Sequence, residues 1–390
     1  MKAEAYLSRG VSPTKEDVKK AVSGQSAGLY PGSFCKIIPD LAQDPAWCTV
    51  IHADGAGTKS AAAYLMFRET GDPSWFTGIA QDSLIMNTDD LLCVGAVGGF
   101  KISNTIGRNA HRVDTSCLKA IIGGYDRIIE DLRQMGIDLE MTGGETADVG
   151  DLVRTVICDS TVVVRLPRSQ VIQASAIRPG QAIVGLASFG QTSYERRENS
   201  GIGSNGLTAA RHLLLHGDYL LRYPESCSDT LPEGKAYCGN WHLQDPLPGS
   251  QLSVGEAILS PTRTYLPVIR AILPAVGGQI SGVIHCTGGG QIKCRDFGRG
   301  IRYVKDNLFP APPIFRAIAQ SQEVGAAEMY QIFNMGHRLE IYCDESAAET
   351  IIGICGRFNL EARKVGHTEA SSAGHINEVL IRDQGQEYFY

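Results

Sequence analysis

One segment of the chain, residues 167–181 (PRSQVIQASAIRPGQ), differs in composition from the segments on either side of it. Pro167, Pro179 and Gly180 interrupt regular secondary structure there, and a new strand-like run, AIVGLAS, follows. A single hydrophobic core rarely grows beyond about 250–300 residues, whereas this chain has 390. We therefore predict two domains, residues 1–168 and 169–390.

Both halves mix strand-like and helix-length segments, without the strict βαβ alternation of a doubly wound sheet. In the first half we predict strands at 49–55, 97–103, 138–142 and 155–166, and helices at 60–68, 81–96 and 115–136. In the second half we predict a helix from about residue 206, a helix at 262–273 and a strand at 279–285. The helix at 81–96 is expected to be amphipathic.

The overall charge excludes some function classes. A net charge of -6 gives no general attraction to nucleic acid or to an anionic membrane.

The first twenty residues lack the apolar core of a signal peptide, and no segment reaches the roughly 18 apolar residues of a membrane span. Eleven cysteines without a C-x-x-C pair are typical of reduced thiols. We expect a cytoplasmic protein.

The stretch DGAGTK, residues 54–59, joins a predicted strand to a predicted helix. Gly55 and Gly57 let backbone N–H groups approach an anion, and Lys59 adds positive charge at the start of a helix, which favours phosphate. The residue order and glycine spacing are not those of a Walker loop. Asp54 would repel phosphate unless a divalent cation such as Mg²⁺ lay between them. A turn that needs Asp-Gly for its geometry alone is the alternative.

Further carboxylates occur in two other segments. Asp82 and Asp89 are seven residues apart, which is about 700° of helix, so they lie within about 20° of each other. Asp90 lies about 80° from Asp82. Gly143 and Gly144 predict a sharp turn that presents Glu145 at the carboxyl end of a strand. With Asp54, these acids could hold one or two Mg²⁺ ions on a nucleotide triphosphate, although acids on a solvated helix face are the simpler reading.

The second half contains two candidate substrate loops. Ser204 and Asn205 stand just before a predicted helix, where they could also be ordinary capping residues. Three glycines, Gly288, Gly289 and Gly290, follow Thr287 after a predicted strand, and such a run suits a second anion such as a ribose phosphate. His285 is either a core histidine or a general acid or base.

Together these motifs resemble the phosphoribosylformylglycinamidine cyclo-ligase (aminoimidazole ribonucleotide synthetase) family. The resembling blocks are DGAGTK (54–59), DDLLCVGA (89–96), GGETAD (143–148), SNG (204–206), LSPTRTYLPVI (259–269), HCTGGG (285–290) and EMYQIFNMG (328–336). They span most of the chain. The SPTRTY and EMYQIFNMG blocks resemble the cyclo-ligase branch, whereas the first three blocks and the TGGG loop resemble a wider ATP-dependent superfamily.

The resemblance implies an α+β fold of two domains, with an N-terminal mixed sheet that pairs across a homodimer and a C-terminal α/β sandwich. It implies ATP and Mg²⁺ as cofactors, with metal ligands Asp54, Asp82, Asp90 and Glu145. Thr58 and Lys59 would contact ATP phosphates, beside the glycines at 55 and 57. The ribonucleotide would face Ser204, Asn205 and the loop from Thr287 to Gly290. The catalytic residues would be Asp54, Lys59, Asp90 and, as a proton carrier, His285.

The chain also departs from this family's pattern. Asp89 stands where the family has Asn, and Gly203 stands where it has His. An insertion, TSYERRENSGI (192–202), precedes Gly203, and QIKCRDFGR (291–299) replaces the usual segment after the glycine run. The Met-Pro-Gly that usually follows the GGETAE-like motif is replaced by VGD (149–151). These changes affect the expected substrate side more than the expected ATP side.

The expected activity is ATP-dependent ring closure of formylglycinamidine ribonucleotide to aminoimidazole ribonucleotide, with release of ADP and phosphate, in purine biosynthesis. One alternative is another enzyme of the superfamily, such as a thiamine phosphate kinase. A selenophosphate synthetase is disfavoured because the N-terminal region lacks the reactive Cys and the Lys-bearing glycine loop. The other alternative is a ribonucleotide-binding dimer without turnover.

Overall fold

A computed structural model describes residues 4–12, 16–321 and 324–390. The strands are β1 (Ile37–Pro39), β2 (Trp47–Gly55), β3 (Phe100–Arg108), β4 (Leu139–Asp148), β5 (Val156–Pro167), β6 (Ala182–Ala187), β7 (Ile280–His285), β8 (Ile301–Lys305), β9 (His337–Cys343), β10 (Ala362–Ala370), β11 (Glu378–Asp383) and β12 (Gln386–Phe389). They form two sheets, which together with the helices give an α+β fold.

The α-helices are α1 (Glu4–Leu7), α2 (Glu16–Ala21), α3 (Lys59–Thr70), α4 (Thr77–Leu92), α5 (Thr115–Gln134), α6 (Leu207–Leu214), α7 (Asp218–Arg222), α8 (Val254–Ile258), α9 (Leu266–Val276), α10 (Pro313–Ala319), α11 (Ala326–Ile332) and α12 (Ala348–Gly356). Short 3₁₀ segments cover Pro73–Phe76, Arg168–Gln170, Ala174–Ala176, Pro224–Ser226, Gly277–Gln279, Gly290–Asp296 and Glu345–Ala347. Within the described residues, no helix is long and apolar enough to cross a membrane.

The first sheet has the strand order β1-β2-β5-β3-β4. Only β3 and β4 run parallel, so the sheet is mixed. Along β5 the buried residues alternate with more exposed ones, as expected for a strand with one covered face. Helix α4 packs on the covered face against β2 and β5. The opposite face leaves Ile51 49% and Ile157 42% exposed.

The second sheet has the order β12-β11-β8-β10-β6-β9-β7. Its strands pair antiparallel except for β8 and β11. Strand β6 is buried along its whole length, because both neighbouring strands and helix α12 cover it. In the sequence, the strands of the first sheet all precede residues 168–181 and those of the second sheet all follow them. The division of the chain at 168/169 stays a prediction. Helix α1 nevertheless belongs spatially to the second half, where Glu328 accepts a hydrogen bond from Ala5 N at 2.7 Å.

Helix α4 is one of the elements that connect the two halves. Thirteen of its sixteen residues are buried, so the expectation of an amphipathic helix is wrong. The physical reason is that α4 contacts β2, β5 and α5 on one side and β7 and α9 on the other. A helix covered on all sides has no solvent face, and its acids must find partners inside the protein.

Two other sequence expectations differ from the structure. Strand β4 continues through Gly143 and Gly144, so there is no sharp turn before Glu145. The register between β3 and β4 instead shifts at Ile102/Ser103, and this irregularity accommodates the glycine pair. Helix α9 begins at Leu266 rather than at Thr262, with Pro267 in its first turn, where proline is favoured.

Candidate active site

The turn from Asp54 to Lys59 joins β2 to α3, as predicted. Gly57 has φ +57°, a conformation that favours glycine. A Cβ on Gly55 would lie 1.7 Å from Asp159 Oδ1, so only glycine fits beside that carboxylate. Asp54 Oδ1 accepts a hydrogen bond from Gly55 N at 2.7 Å. This contact is to the next residue and is not that of an Asx turn, since Ala56 N donates instead to the Cys158 carbonyl at 3.0 Å.

Lys59 is the first residue of α3, and its side chain is fully buried. Its Nζ donates to Asp82 Oδ1 at 2.8 Å and to the Ser260 carbonyl at 2.5 Å. Burial lowers the pKa of Lys59, and the charge of Asp82 opposes that shift. The ammonium group therefore already has a carboxylate partner inside the protein, before any phosphate is considered.

Asp82 uses its two carboxylate oxygens very differently. Its Oδ1 accepts hydrogen bonds from Lys59 Nζ, from Ser204 Oγ at 3.0 Å, from Thr262 N at 2.7 Å and from Thr262 Oγ1 at 2.6 Å. Its Oδ2 is buried and has no hydrogen-bond partner among the residues that the structure describes. A buried carboxylate oxygen without a donor is costly, and this one has the chemistry of a ligand for a cation.

Asp89 faces the same extended segment as Asp82. Its Oδ1 accepts from Thr264 Oγ1 at 3.0 Å, and its Oδ2 accepts from Tyr265 N at 3.2 Å. Arg338 Nη2 lies 3.4 Å from Oδ2. Burial raises the pKa of Asp89 to about 7, against the opposing charge of Arg338. Residues 262–265 thus run along the helix face that the seven-residue spacing predicts.

Asp90 points to the other side of α4 and contacts two histidines. Its Oδ1 lies 2.6 Å from His285 Nδ1, and its Oδ2 lies 3.3 Å from His52 Nε2. Burial opposes ionisation of Asp90, but the hydrogen bonds from the two imidazoles outweigh it and hold the pKa of Asp90 well below its ordinary range. Burial alone would lower the pKa of His52, yet Asp90 raises it to about 9. His52 is therefore a cation at neutral pH.

His285 differs from His52 in its charge. It is fully buried, and its Nε2 receives a hydrogen bond from Arg338 Nε at 2.9 Å. Since a guanidinium N–H can only donate, Nε2 holds a lone pair and the proton is on Nδ1, toward Asp90. Burial lowers the pKa of His285 in spite of the nearby Asp90. Both ring nitrogens thus have protein partners, and the role of His285 as a proton carrier stays a prediction.

Glu145 lies apart from the other predicted metal ligands. The strand register places Gly55, Asp159, Thr105 and Glu145 in one row across the first sheet. Adjacent residues of a strand point to opposite faces, so Asp54 and Glu145 lie on opposite faces. Among the described residues, no three of the four predicted acids bring their ligand atoms within 4.8 Å of one another.

Of the remaining carboxylates, Asp82 is the one whose surroundings suit a cation such as Mg²⁺. The unpartnered Asp82 Oδ2 is the buried acceptor that such an ion would satisfy, and Asp54 offers a partly exposed carboxylate at the end of β2. Mg²⁺ is usually held by one or two carboxylates together with phosphate oxygens. Both oxygens of Asp90 are already engaged by imidazoles.

The two predicted substrate loops meet each other and the glycine turn. Ser204 Oγ contacts both Asp82 and Thr262 Oγ1, the latter at 2.8 Å. Asn205 Oδ1 is buried without a described partner. Asn205 Nδ2 lies 3.8 Å from the point that a Cβ on Gly288 would occupy. Beside this loop, Thr58 Oγ1 lies 2.9 Å from the hydroxyl of Thr208 in α6.

The glycine run needs glycine for backbone geometry. Gly288, Gly289 and Gly290 have φ values of +52°, +123° and +51°. A Cβ on Gly290 would lie 2.5 Å from the Phe333 carbonyl, so the loop packs directly on the segment before β9. The run leads into a 3₁₀ segment rather than an α-helix, and Thr287 is buried beside it.

Comparison with known families decides the classification. A family model described as AIR synthase related protein, N-terminal domain, matches residues 34–164, and one described as AIR synthase related protein, C-terminal domain, matches residues 178–377. The chain belongs to the AIR synthase related protein family. The matched ranges contain all the site residues described above.

Two curated relatives of the chain carry the same name. The phosphoribosylformylglycinamidine cyclo-ligase of Methanocaldococcus jannaschii is 25% identical over 332 residues, which are 85% of this chain and 81% of that protein. The protein of the same name from Methanococcus maripaludis strain C7 is 27% identical over 372 residues, which are 94% of this chain and 92% of that protein.

Solved structures share the AIR synthase fold at lower identity. AaThiL complexed with AMPPCP and TMP has a TM-score of 0.54 at 11% identity, covering 96% of this chain and 95% of its own. PurL of T. maritima complexed with FGAR has a TM-score of 0.53 at 14% identity, covering 98% of this chain and 54% of its own. These likenesses establish the fold alone.

Three residues of this candidate site are missed by the sequence patterns. His52 could be found from strand alternation, because it lies two residues before Asp54 and so on the same face of β2. Thr262 lies in the SPTRTY block, but it was assigned to a helix. Arg338 lies in β9, 249 residues from Asp89, and no local pattern connects the two.

Proposed function

We propose that this protein catalyses the ATP-dependent cyclisation of formylglycinamidine ribonucleotide to aminoimidazole ribonucleotide, with release of ADP and phosphate. The names of the relatives that span most of the chain support this reaction. The structural observation that carries it is the buried contact set of Asp82. Through Asp82, Lys59 of the glycine turn meets Ser204 and Thr262 of the second half.

This arrangement suits a reaction in which a phosphoryl group moves between two bound molecules. An amide oxygen is a poor leaving group, so the γ-phosphoryl group of ATP is transferred to the formamide oxygen and ADP leaves. A nitrogen of the amidine then attacks that carbon, the ring closes, and phosphate departs. The protein contributes mainly positioning and charge complementarity.

We assign roles from the contacts. ATP phosphates lie at the turn formed by Gly55, Gly57, Thr58 and Lys59. Asp54 and Asp82 hold Mg²⁺, which offsets phosphate charge when it is bound. Asp90 fixes His52 and His285 behind this region. Ribonucleotide contacts come from Ser204, Asn205 and the loop from Thr287 to Gly290.

We also propose that the protein is a homodimer paired through the exposed face of the first sheet. Ile51 and Ile157 are among the exposed large hydrophobic side chains of the described residues, and both lie on that face. Glu145 points to the same face, so a metal contact by Glu145 would require the partner protomer. Light scattering of the purified chain should give twice the monomer mass. The double variant with Ile51→Asp and Ile157→Asp should give the mass of one monomer.

The test of the reaction is direct. The purified chain is incubated with Mg·ATP and formylglycinamidine ribonucleotide, ADP is measured with a coupled assay, and the product is identified by mass spectrometry. We expect ADP to appear in step with a product lighter than the substrate by one water. Asp82→Asn serves as the matched control, because it changes one atom of the buried carboxylate, and it should reduce ADP release strongly.

A kinase acting on thiamine monophosphate is the second candidate, since the AaThiL structure with AMPPCP and TMP shares the fold over nearly the whole chain. Running thiamine monophosphate in parallel separates the two. ADP release with that compound alone would replace the cyclo-ligase proposal with a kinase. No ADP release with either compound would favour a binding protein without turnover.

A further inference from the structure

Three side chains that could bind a metal come together at the junction of α6 and α7. His216 and Asp218 flank Gly217, and His242 comes from the long excursion between α7 and α8. One ligand atom from each of the three lies within 4.8 Å of the other two. Neither the proposed reaction nor its Mg²⁺ site involves these residues.

The spacing of the ligand atoms is that of a metal site. His216 Nδ1 lies 3.3 Å and His242 Nε2 lies 3.5 Å from Asp218 Oδ2. Two ligands bound tetrahedrally to Zn²⁺ at about 2.0–2.2 Å are separated by about 3.3–3.5 Å. A good N–H···O hydrogen bond would be shorter, at about 2.9 Å. Both nitrogens therefore lie from Asp218 Oδ2 at the separation of two ligands of one metal ion, and the two nitrogens lie within 4.8 Å of each other.

Both contacts of His216 Nδ1 with Asp218 are long. Asp218 N donates a hydrogen bond of 3.2 Å to this nitrogen, and the Asp218 carboxylate lies 3.3 Å from it. A metal ion bound between His216 Nδ1 and Asp218 Oδ2 would replace the long hydrogen bond.

The backbone holds the two histidines side by side. His216 N donates to the Trp241 carbonyl at 2.9 Å, and Trp241 N donates to the Leu214 carbonyl at 2.9 Å. The imidazole rings have centroids 5.1 Å apart. Nothing large has to move for both rings to reach one ion, because the segments that carry them are already paired.

A second carboxylate stands behind His242. Asp245 Oδ2 accepts from His242 N at 2.7 Å, which fixes its position, and it lies 3.7 Å from His242 Nδ1. A carboxylate near the nitrogen that does not bind the metal is a common way to orient a ligating histidine. Since the side chains of His216, Asp218 and His242 are between 41% and 50% exposed, water can complete a four-coordinate site.

From these observations we propose that His216, Asp218 and His242 bind one divalent transition-metal ion of borderline softness, with Zn²⁺ as the test ion. Two imidazoles and one carboxylate are a donor set that suits Zn²⁺ rather than Mg²⁺. The bound ion joins the α6–α7 corner to the loop that carries His242. It thereby anchors the excursion between α7 and α8.

The test uses the full chain, stripped of metal and titrated with Zn²⁺, with bound zinc measured after dialysis and affinity measured by calorimetry. The variant His216→Ala with His242→Ala is compared with His367→Ala. His367 is a matched control because it is also partly exposed and lies near two carboxylates, Glu369 and Asp306, but has no second imidazole. We expect wild type and the control to bind one more zinc ion than the double variant. Asp245→Asn should weaken that ion by about 10- to 100-fold.

Equal zinc content and affinity in wild type and the double variant would overturn the proposal, as would an equal loss in the control. If the double variant does not fold, wild-type crystals soaked in Zn²⁺ decide the question. An anomalous difference peak between the three side chains supports the site, and its absence at a zinc concentration that loads the protein rejects it. Neither outcome depends on the cyclo-ligase reaction.

Discussion

The surroundings of Asp82 and Asp90 differ, although both acids belong to α4 and both are predicted metal ligands. Asp82 has one oxygen with four donors and one oxygen with none. Asp90 has both oxygens engaged, one by His285 and one by His52. The same residue type on the same helix therefore has one oxygen without a described partner at one position and a partner for each oxygen at the other.

The difference follows from what each acid connects. Asp90 lies between β2 and β7, so His52 of the first sheet and His285 of the second sheet meet at one carboxylate. Asp82 lies between α3 and the loop at 260–262, where neutral donors accompany a single cation, Lys59. Asp90 thus joins the two halves through two imidazoles, whereas Asp82 joins them through Lys59, Ser204 and Thr262 and has one oxygen without a described partner.

The largest expected effect is that of Asp90→Asn. The change removes the carboxylate that faces protonated His52, and breaking a buried ion pair from one side typically costs about 3–5 kcal/mol. Chemical denaturation should show a loss of that order in the free energy of unfolding. The pKa of His52 should also fall from its raised value, which NMR titration of the ring can follow. An unchanged His52 titration would mean that Asp90 is not its main partner.

Lys59→Met should have the next largest effect. It leaves Asp82 buried without its cation, but Ser204 and Thr262 still donate to the same oxygen, so we expect a smaller loss of about 2–3 kcal/mol. The variant should also lose more activity than its loss of folding stability explains, and the loss should be largest at low ATP concentration. Arg68→Met, in the same helix but with a more exposed side chain, is the control and should cost less than about 1 kcal/mol.

The sequence predicts those features of the two regions that depend on residues close together in the chain. The turn at 54–59 and the shared face of Asp82 and Asp89 follow from local periodicity, and both are present in the structure. The partners of these acids do not follow, because His285 is 195 residues from Asp90 and Thr262 is 180 residues from Asp82. The amphipathic expectation for α4 fails for the same reason, since periodicity within one helix cannot show that a second half of the chain covers its polar side.

The pH dependence of stability should distinguish the Asp90 region from the Asp82 region. The pKa of His52 is raised to about 9 in the folded protein, above the unfolded value of about 6.5. Its contribution is therefore fully present below about pH 6.5 and is lost as the pH rises through about 9. Comparing unfolding of wild type and His52→Gln between these limits should show a difference that shrinks by on the order of 2–3 kcal/mol. A constant difference across the range would contradict the charged state of His52.

A smaller effect is expected from Thr262→Val, which keeps the side-chain shape and the backbone N–H but removes the hydroxyl that donates to Asp82. One hydrogen bond to a charged group contributes about 1.5–3 kcal/mol, and the remaining donors should reduce the net loss to about 1 kcal/mol. Thr264→Val removes the corresponding hydroxyl at Asp89 and gives a matched measurement. A loss at Thr262 no greater than at Thr264 would show that the Thr262 hydroxyl contributes no more at Asp82 than the Thr264 hydroxyl contributes at Asp89.

The smallest effect at neutral pH should be that of Asp89→Asn, which tests whether an acid between the two contrasted regions behaves like either. Burial raises the pKa of Asp89 to about 7, so the folded protein holds this proton more tightly than the unfolded chain, whose value is about 3.9. Ionisation of Asp89 therefore lowers stability as the pH rises from about 4 through 7, and this cost is fully present only above that range. Asparagine cannot ionise, so the variant should gain about 3 kcal/mol on wild type between about pH 5 and about pH 8, while the two differ by less than about 1 kcal/mol near neutral pH. Denaturation curves at about pH 5 and about pH 8 measure the gain. If Asp89→Asn instead loses stability as the pH rises, Asp89 is an ionised partner of Arg338, and its region resembles that of Asp90.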